Sequence, residues 1–365
     1  MSLRTLVLIA LLLKPIGSVH CQEVSAKRVP NIILIMADDL GFETIGANGG
    51  ESYQTPNLDQ MAKAGVRFEH CYSQPLCTPS RVQLMTGKYN FRNYSKFGEL
   101  RRGERTFAHF LKEAGYATCV AGKWQLGKQK DSPQHFGFEQ SLLWQHTRSG
   151  RLVEGTKRFD KRYENPLLEK NGEPLSFSGG EFAPDLMVDF ICDFIDSHQK
   201  KPFFIYYPMI LTHCPFVPVP GSPSWNPNSK GSPTYKGDAT NFSEMVCYMD
   251  KLVGRIMKRV EDNGVAENTV ILFTGDNGTD KPVVSRFQGK NLAGGKGSMK
   301  DSGTRVPLIC VGSGRFKKSV CRDIVDFTDF LPTLVQLAGV EPTELNNELD
   351  GRSFLPQLVG KKGSP

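Results

Sequence analysis

The sequence predicts an α/β protein built on a doubly wound, mostly parallel sheet with helices on both faces. Two observations predict it: short apolar runs too continuous for half-exposed strands, and helical patterns that alternate with them. Asn31 to Met36, bounded by Pro30 and Asp38, reads as a strand buried on both faces. Thr55 and Pro56 open a short helix that Gly65 closes. Further strands are expected at Tyr116 to Ala121, Pro202 to Tyr207, Thr269 to Thr274 and Val306 to Val311. Helices are expected near Thr106 to Glu113, Pro184 to Ser197, Ser243 to Asn263 and Phe327 to Ala338. In such folds ligands sit beyond the carboxyl ends of the strands. Arg148 to Ser178 and Pro215 to Asp238 interrupt the alternation and read as surface insertions.

The chain has 365 residues, 39% hydrophobic and 23% charged, a composition that excludes a disordered chain and suits one large domain plus something smaller. Residues 1–22 carry Arg4 and then the apolar run Thr5 to Leu13, too short to cross a bilayer, and read as a signal peptide whose cleavage site is left open. The α/β domain is placed at 28–340, and 341–365 as a linker or the start of a truncated carboxyl-terminal subdomain. Nine cysteines show no Cys-x-x-Cys pair, so zinc is not expected; buried thiols are, with one or two disulfides left open after export. The net charge of +7 and the clusters Arg101-Arg102, Lys157-Arg158 and Lys161-Arg162 attract polyanions, but no nucleic-acid motif accompanies them. Asn93-Tyr94-Ser95 and Asn241-Phe242-Ser243 fit the glycosylation pattern.

Two strand ends carry acids: Asp38-Asp39 after the first strand, and Asp276-Asn277 after Thr269 to Thr274. Adjacent carboxylates repel unless a cation or donors neutralise them, and hard oxygen ligands suit calcium or magnesium. Cys77-Thr78-Pro79-Ser80-Arg81 places a cysteine before a helix in which Pro79 is expected in the first turn. The free amides, the dipole and Arg81 would then make an anion site beside the Cys77 side chain. Lys123 in Gly122-Lys123-Trp124, His213 before Cys214-Pro215, and Lys296 among Gly294, Gly295 and Gly297 are the candidate cations that would neutralise an anionic substrate.

The pentapeptide from Cys77 to Arg81, with its continuation Leu84-Met85-Thr86-Gly87-Lys88-Tyr89, resembles the signature of the sulfatase family, formylglycine-dependent and arylsulfatase-like within the alkaline phosphatase superfamily. The resemblance runs from about Asn31 to the chain end. It implies an enzyme that hydrolyses sulfuric esters, with Cys77 oxidised to formylglycine by a formylglycine-generating enzyme. It also implies Ca2+, with Mg2+ second, on Asp38, Asp39, Asp276, Asn277 and an oxygen of modified Cys77. Arg81 and Lys123 would hold the aldehyde hydrate; Lys123, Gln125, His213 and Lys296 would line the substrate site. The expected substrate is a sulfated carbohydrate or aryl sulfate, met after export to a periplasmic, secreted or lysosomal location with no stable membrane span.

Two departures stand out. Gly122-Lys123-Trp124-Gln125-Leu126-Gly127 has Gln125 where the family usually has histidine, and an amide takes no proton near neutral pH. Lys300-Asp301-Ser302-Gly303 replaces the family's frequent Tyr-Glu-Gly-Gly and is expected to be structural. Two alternatives accompany the sulfatase reading: a phosphate or phosphonate ester hydrolase of the same fold, and a catalytically impaired binder of sulfated glycans.

Overall fold

The computed structural model describes residues 29–148, 151–345 and 349–361, so the signal peptide expected at 1–22 lies outside the described residues. The strands are β1 (Asn31–Ala37), β2 (Val66–Tyr72), β3 (Ala117–Gly122), β4 (Gln140–Trp144), β5 (Arg151–Glu154), β6 (Lys157–Asp160) and β7 (Leu167–Lys170). They continue with β8 (Glu173–Ser176), β9 (Phe203–Pro208), β10 (Thr269–Gly275), β11 (Val284–Phe287), β12 (Lys290–Ala293), β13 (Arg305–Gly312) and β14 (Ser319–Asp326). Ten of them form one sheet in the order β14-β2-β13-β10-β1-β9-β3-β4-β7-β8. Strands β10, β1, β9, β3 and β4 run parallel at its centre.

The continuous apolar runs have the predicted consequence. Along β1, Ile33, Ile35 and Ala37 enter one core with the helices Pro56–Ala64, Ala183–Ser197 and Phe242–Asp262. Ile32, Leu34 and Met36 enter the other core, with the helices Cys77–Thr86, Phe107–Glu113 and Phe330–Leu337. Every residue of β1 and β10 is buried, as a central strand covered on both faces requires.

Several features go beyond the expectation. β13 is antiparallel to both β10 and β2, a direction that a continuous apolar run does not report. The flanking strands β2, β4, β7 and β14 were not anticipated; β2 and β14 alternate exposure or carry charges and so lack the apolar signature. The segment from Arg148 to Ser178 is more than a surface insertion: β7 pairs with β4 at the sheet edge, and Asp160 to Asn165 are buried. Pro215 to Asp238 is likewise anchored, with Phe216 buried and its backbone paired with Lys236 and Asp238. Within 341–365, Phe354 and Leu358 pack into the second core. Asn93 of the first glycosylation pattern is 2% exposed and donates to Thr86 Oγ1 at 2.9 Å, so its amide is closed to a glycan. All eight described cysteines are unpaired thiols.

Candidate active site

Parallel pairing of β1 with β10 in register, Ala37 opposite Gly275, sets Asp38 and Asp39 beside Asp276 and Asn277 beyond the carboxyl ends of both strands. The Asp276 N–H donates to Ala37 O at 2.9 Å and the Asp39 N–H to Asp276 Oδ1 at 3.0 Å, which locks the two strand ends together. Asp39 occupies the left-handed region at φ 58°, turning the chain so that both carboxylates face inward. Asp38, Asp39, Asp276 and Asn277 are all 0% exposed.

Pro79 lies in the first turn of the helix Cys77–Thr86, where the sequence places it. Cys77 itself is the first helical residue and Pro79 the third, so the free amides of the first turn are those of Cys77 and Thr78. Ser80 Oγ receives the Gln74 N–H at 3.1 Å and fastens the approach to the helix. This brings Cys77 Sγ within 4.8 Å of carboxylate oxygens of Asp38 and Asp276. Burial, only partly opposed by Lys123, pushes the Cys77 thiol up, so the unmodified side chain is a poor nucleophile near neutral pH.

Three cations reach into the acid cluster. Lys123 Nζ donates to Asp38 Oδ2 at 2.7 Å, Lys296 Nζ to Asp39 Oδ2 at 2.6 Å, and Arg81 Nη2 to Asp276 Oδ2 at 2.9 Å. Arg81 Nη1 also donates to Lys123 O at 2.8 Å. Lys123 is placed by Gly122 at φ 126°, where a Cβ would stand 1.9 Å from Pro208 O; only glycine permits β3 and β9 to meet there. Lys296 depends on a similar approach, since a Cβ on Gly295 would lie 2.5 Å from the carbonyl carbon of Ser302. That contact, and the Gly278 N–H donating to Gly303 O at 2.9 Å, show Lys300 to Gly303 supporting the loop from beneath.

The charges settle unevenly. Burial raises Asp38, but Lys123, Arg81 and Lys296 outweigh it and hold this carboxyl well below the usual range. Burial raises Asp39, opposed by Lys296, and pushes Asp276 up to about 7 with the Asp38 charge adding to it. His213, expected among the cations, is neutral here: burial lowers it well below its ordinary value, and Arg162 and Lys123 lower it further. Its Nε2 stands 3.7 Å from Asp39 Oδ2 and its Nδ1 contacts Arg162 Nη1.

Two acceptors in this cluster, Asp38 Oδ1 and Asn277 Oδ1, are buried without a hydrogen-bond partner. Orphaned oxygens beside three carboxylates are what a hard divalent cation satisfies, so the donor set fits one. The adjoining cavity, about 410 Å3, is lined by Cys77, Lys123, Gln125, His213 and Lys296. Every site residue expected from the sequence is therefore gathered at this one place or its immediate wall. Gln125, at φ 56°, has its Oε1 buried and unpartnered.

Sequence reasoning missed Arg162, Trp144 and Tyr235, which line the same cavity. Arg162 is 4% exposed, donates to Cys214 O at 2.8 Å and lies over the Trp144 ring at 4.2 Å. In the sequence Lys161-Arg162 is one of three basic clusters that attract polyanions; only the anchoring of its loop distinguishes it.

Residues 30–340 match the Sulfatase family. The chain belongs to that family, hydrolases of sulfate esters. Arylsulfatase A of Homo sapiens is 33% identical, covering 93% of this chain and 69% of the relative. N-acetylgalactosamine-6-sulfatase of Canis lupus familiaris is 29% identical over 92% of this chain and 67% of its own. Among solved structures, Ps i-CgsB in complex with k-i-k-neocarrahexaose superposes with a TM-score of 0.76 at 28% identity, covering 91% of this sulfatase and 76% of that chain.

Proposed function

We propose that this sulfatase hydrolyses sulfate esters of carbohydrates with a formylglycine made from Cys77 and a Ca2+ ion held by Asp38, Asp39, Asp276 and Asn277. The observation that carries the reading is the convergence of orphaned Asp38 and Asn277 oxygens with Cys77 at the first helical turn. When present, the hydrated aldehyde supplies an oxygen nucleophile and the cation supplies positive charge where a sulfate group docks.

The chain's own residues divide the remaining work. Arg81 and Lys123 fix Asp276 and Asp38 and keep positive charge beside residue 77. Lys296, 14% exposed at its side chain, faces the cavity and is held charged by Asp39 and Asp38 against the effect of burial, so it can bind a sulfate oxygen. Neutral His213 faces the same space, and an anionic sulfate ester would favour its protonation, readying it to assist departure of the alcohol. Gln125 offers an unpartnered Oε1 to a hydroxyl donor but takes no proton.

Export belongs to the same proposal, with the formylglycine-generating enzyme met during maturation and the signal at 1–22 directing it. Among the described residues no helix is long and apolar enough to cross a membrane. Mass analysis of the peptide containing Cys77, from protein made in its native host, tests the reading. Conversion of thiol to aldehyde is expected, and a cysteine left wholly unmodified defeats it. Comparing aryl sulfate with aryl phosphate turnover on one preparation separates sulfatase from phosphate or phosphonate ester hydrolase. Tight binding of sulfated oligosaccharide by fully converted protein, without product release, would point to a binder.

A further inference from the structure

The hairpin β5–β6 carries charge that the hydrolytic reaction does not use. Arg151 pairs opposite Asp160 and Val153 opposite Arg158, so these four side chains share one hairpin face. Arg151 and Asp160 line the catalytic cavity. Both also line, with Arg158, Ser232, Thr234 and Tyr235, a second cavity of about 80 Å3. The two hollows therefore adjoin and share Arg151, Asp160 and Tyr235.

Arg151 and Arg158 are exposed, and neither has an ion-pair partner among the described residues. Diagonal neighbours on a hairpin lie roughly 7–8 Å apart, so their like charges repel. Asp160 is the one carboxylate on that face, and its Oδ1 already accepts the Arg162 N–H at 3.0 Å. The face thus holds excess positive charge around a small hollow. Between it and the reacting centre stands Tyr235, 51% exposed, its ring edge-on to His213 with centroids 6.3 Å apart. An exposed ring beside a polar cavity suits the apolar face of a sugar.

We propose that this hairpin face is a second anion subsite, in which Arg151 and Arg158 bind a sulfate or carboxylate that the glycan carries away from the ester being cleaved. The proposal rests on the sulfatase reading and deepens it: the substrate class becomes multiply anionic oligosaccharide, with a sugar ring against Tyr235 spanning the two hollows.

The test uses the full chain and two disaccharides alike in the hydrolysed sulfate, one bearing a second sulfate on the neighbouring sugar. The ratio of their kcat/KM values is measured at low salt for the native sequence, Arg158→Ala, Arg158→Glu and Arg158→Lys. A guanidinium bound to an anion contributes about tenfold. Arg158→Ala is expected to cut the preference for the disulfated sugar by about that factor through KM, Arg158→Glu by more, and Arg158→Lys by less. A ratio unmoved by Ala and Glu overturns the subsite. Should neither sugar be hydrolysed, the sulfatase reading fails separately. The same ratio is then read from calorimetric Kd values, where equal Kd ratios in native and variant protein overturn the subsite.

Discussion

Replacing Lys123 with methionine removes the buried cation closest to Asp38 while keeping most of the side chain's volume. Lys123 Nζ lies 2.7 Å from Asp38 Oδ2, with side chains 2% and 0% exposed. At an effective dielectric constant of about 20, that separation corresponds to a gross attraction of about 6 kcal/mol. Desolvation of both ions offsets part of it, and removing one partner of a buried pair costs about 3–5 kcal/mol. After the change Asp38 retains Arg81 Nη2 at 3.9 Å as its nearest ion-pair partner. A chain of 365 residues unfolds with an entropy of about 0.8 kcal/mol/K, so the melting temperature should fall by about 4–6 °C. The assay is thermal unfolding of Lys123→Met and the native sequence in chelator and then in excess Ca2+. Calcium should shrink the deficit, since a bound dication neutralises Asp38 in place of the lysine. Hydrolysis should drop at least about a hundredfold, because Lys123 also lines the cavity. A variant melting with the native protein in chelator would refute the buried pair.

Three further outcomes are expected. Metal-free Asp276 titrates near 7 against an ordinary 3.8, so the folded chain holds more protons than the unfolded chain between about pH 4 and 7. That carboxyl's contribution to stability should be full below that window and fall as pH rises through it, opposed by buried neutral His213, while Ca2+ affinity rises; the urea midpoint of Asp276→Asn relative to the native sequence, in chelator at pH 5 and 8, isolates it, and a difference that does not move in the variant's favour at pH 8 would contradict it. Gly122→Ala should destabilise by about 3 kcal/mol and depress activity, since the new Cβ would meet Pro208 O at 1.9 Å; an unchanged melting temperature would count against that contact. Gln125→His should raise turnover by about tenfold or more if sulfate release awaits a base, measured as kcat on an aryl sulfate, and an unchanged kcat removes position 125 from that role.

Much of this molecule was legible along the chain because its signals are local. A strand buried on both faces must be apolar throughout, which exposed β1, β3, β9 and β10. Acids placed directly after such strands must be neutralised, which singled out Asp38, Asp39, Asp276 and Asn277. Glycines around Lys123 and Lys296 marked loops, but the close backbone approach they permit appeared only in the fold. Strand direction, by contrast, leaves no trace in composition, so the antiparallel course of β13 was settled only by the fold.

What only the tertiary structure decided concerns charge and its surroundings. His213 looked like a cation until burial beside Arg162 and Lys123 made it neutral. Lys161-Arg162 and Lys157-Arg158 read alike as surface charge, yet folding buries Arg162 beside His213 and leaves Arg158 at a separate hollow. Residue type and spacing determine which groups can ionise or bind a cation. Protonation and partners are set by desolvation and by neighbours from distant segments, and those exist only once the chain has folded.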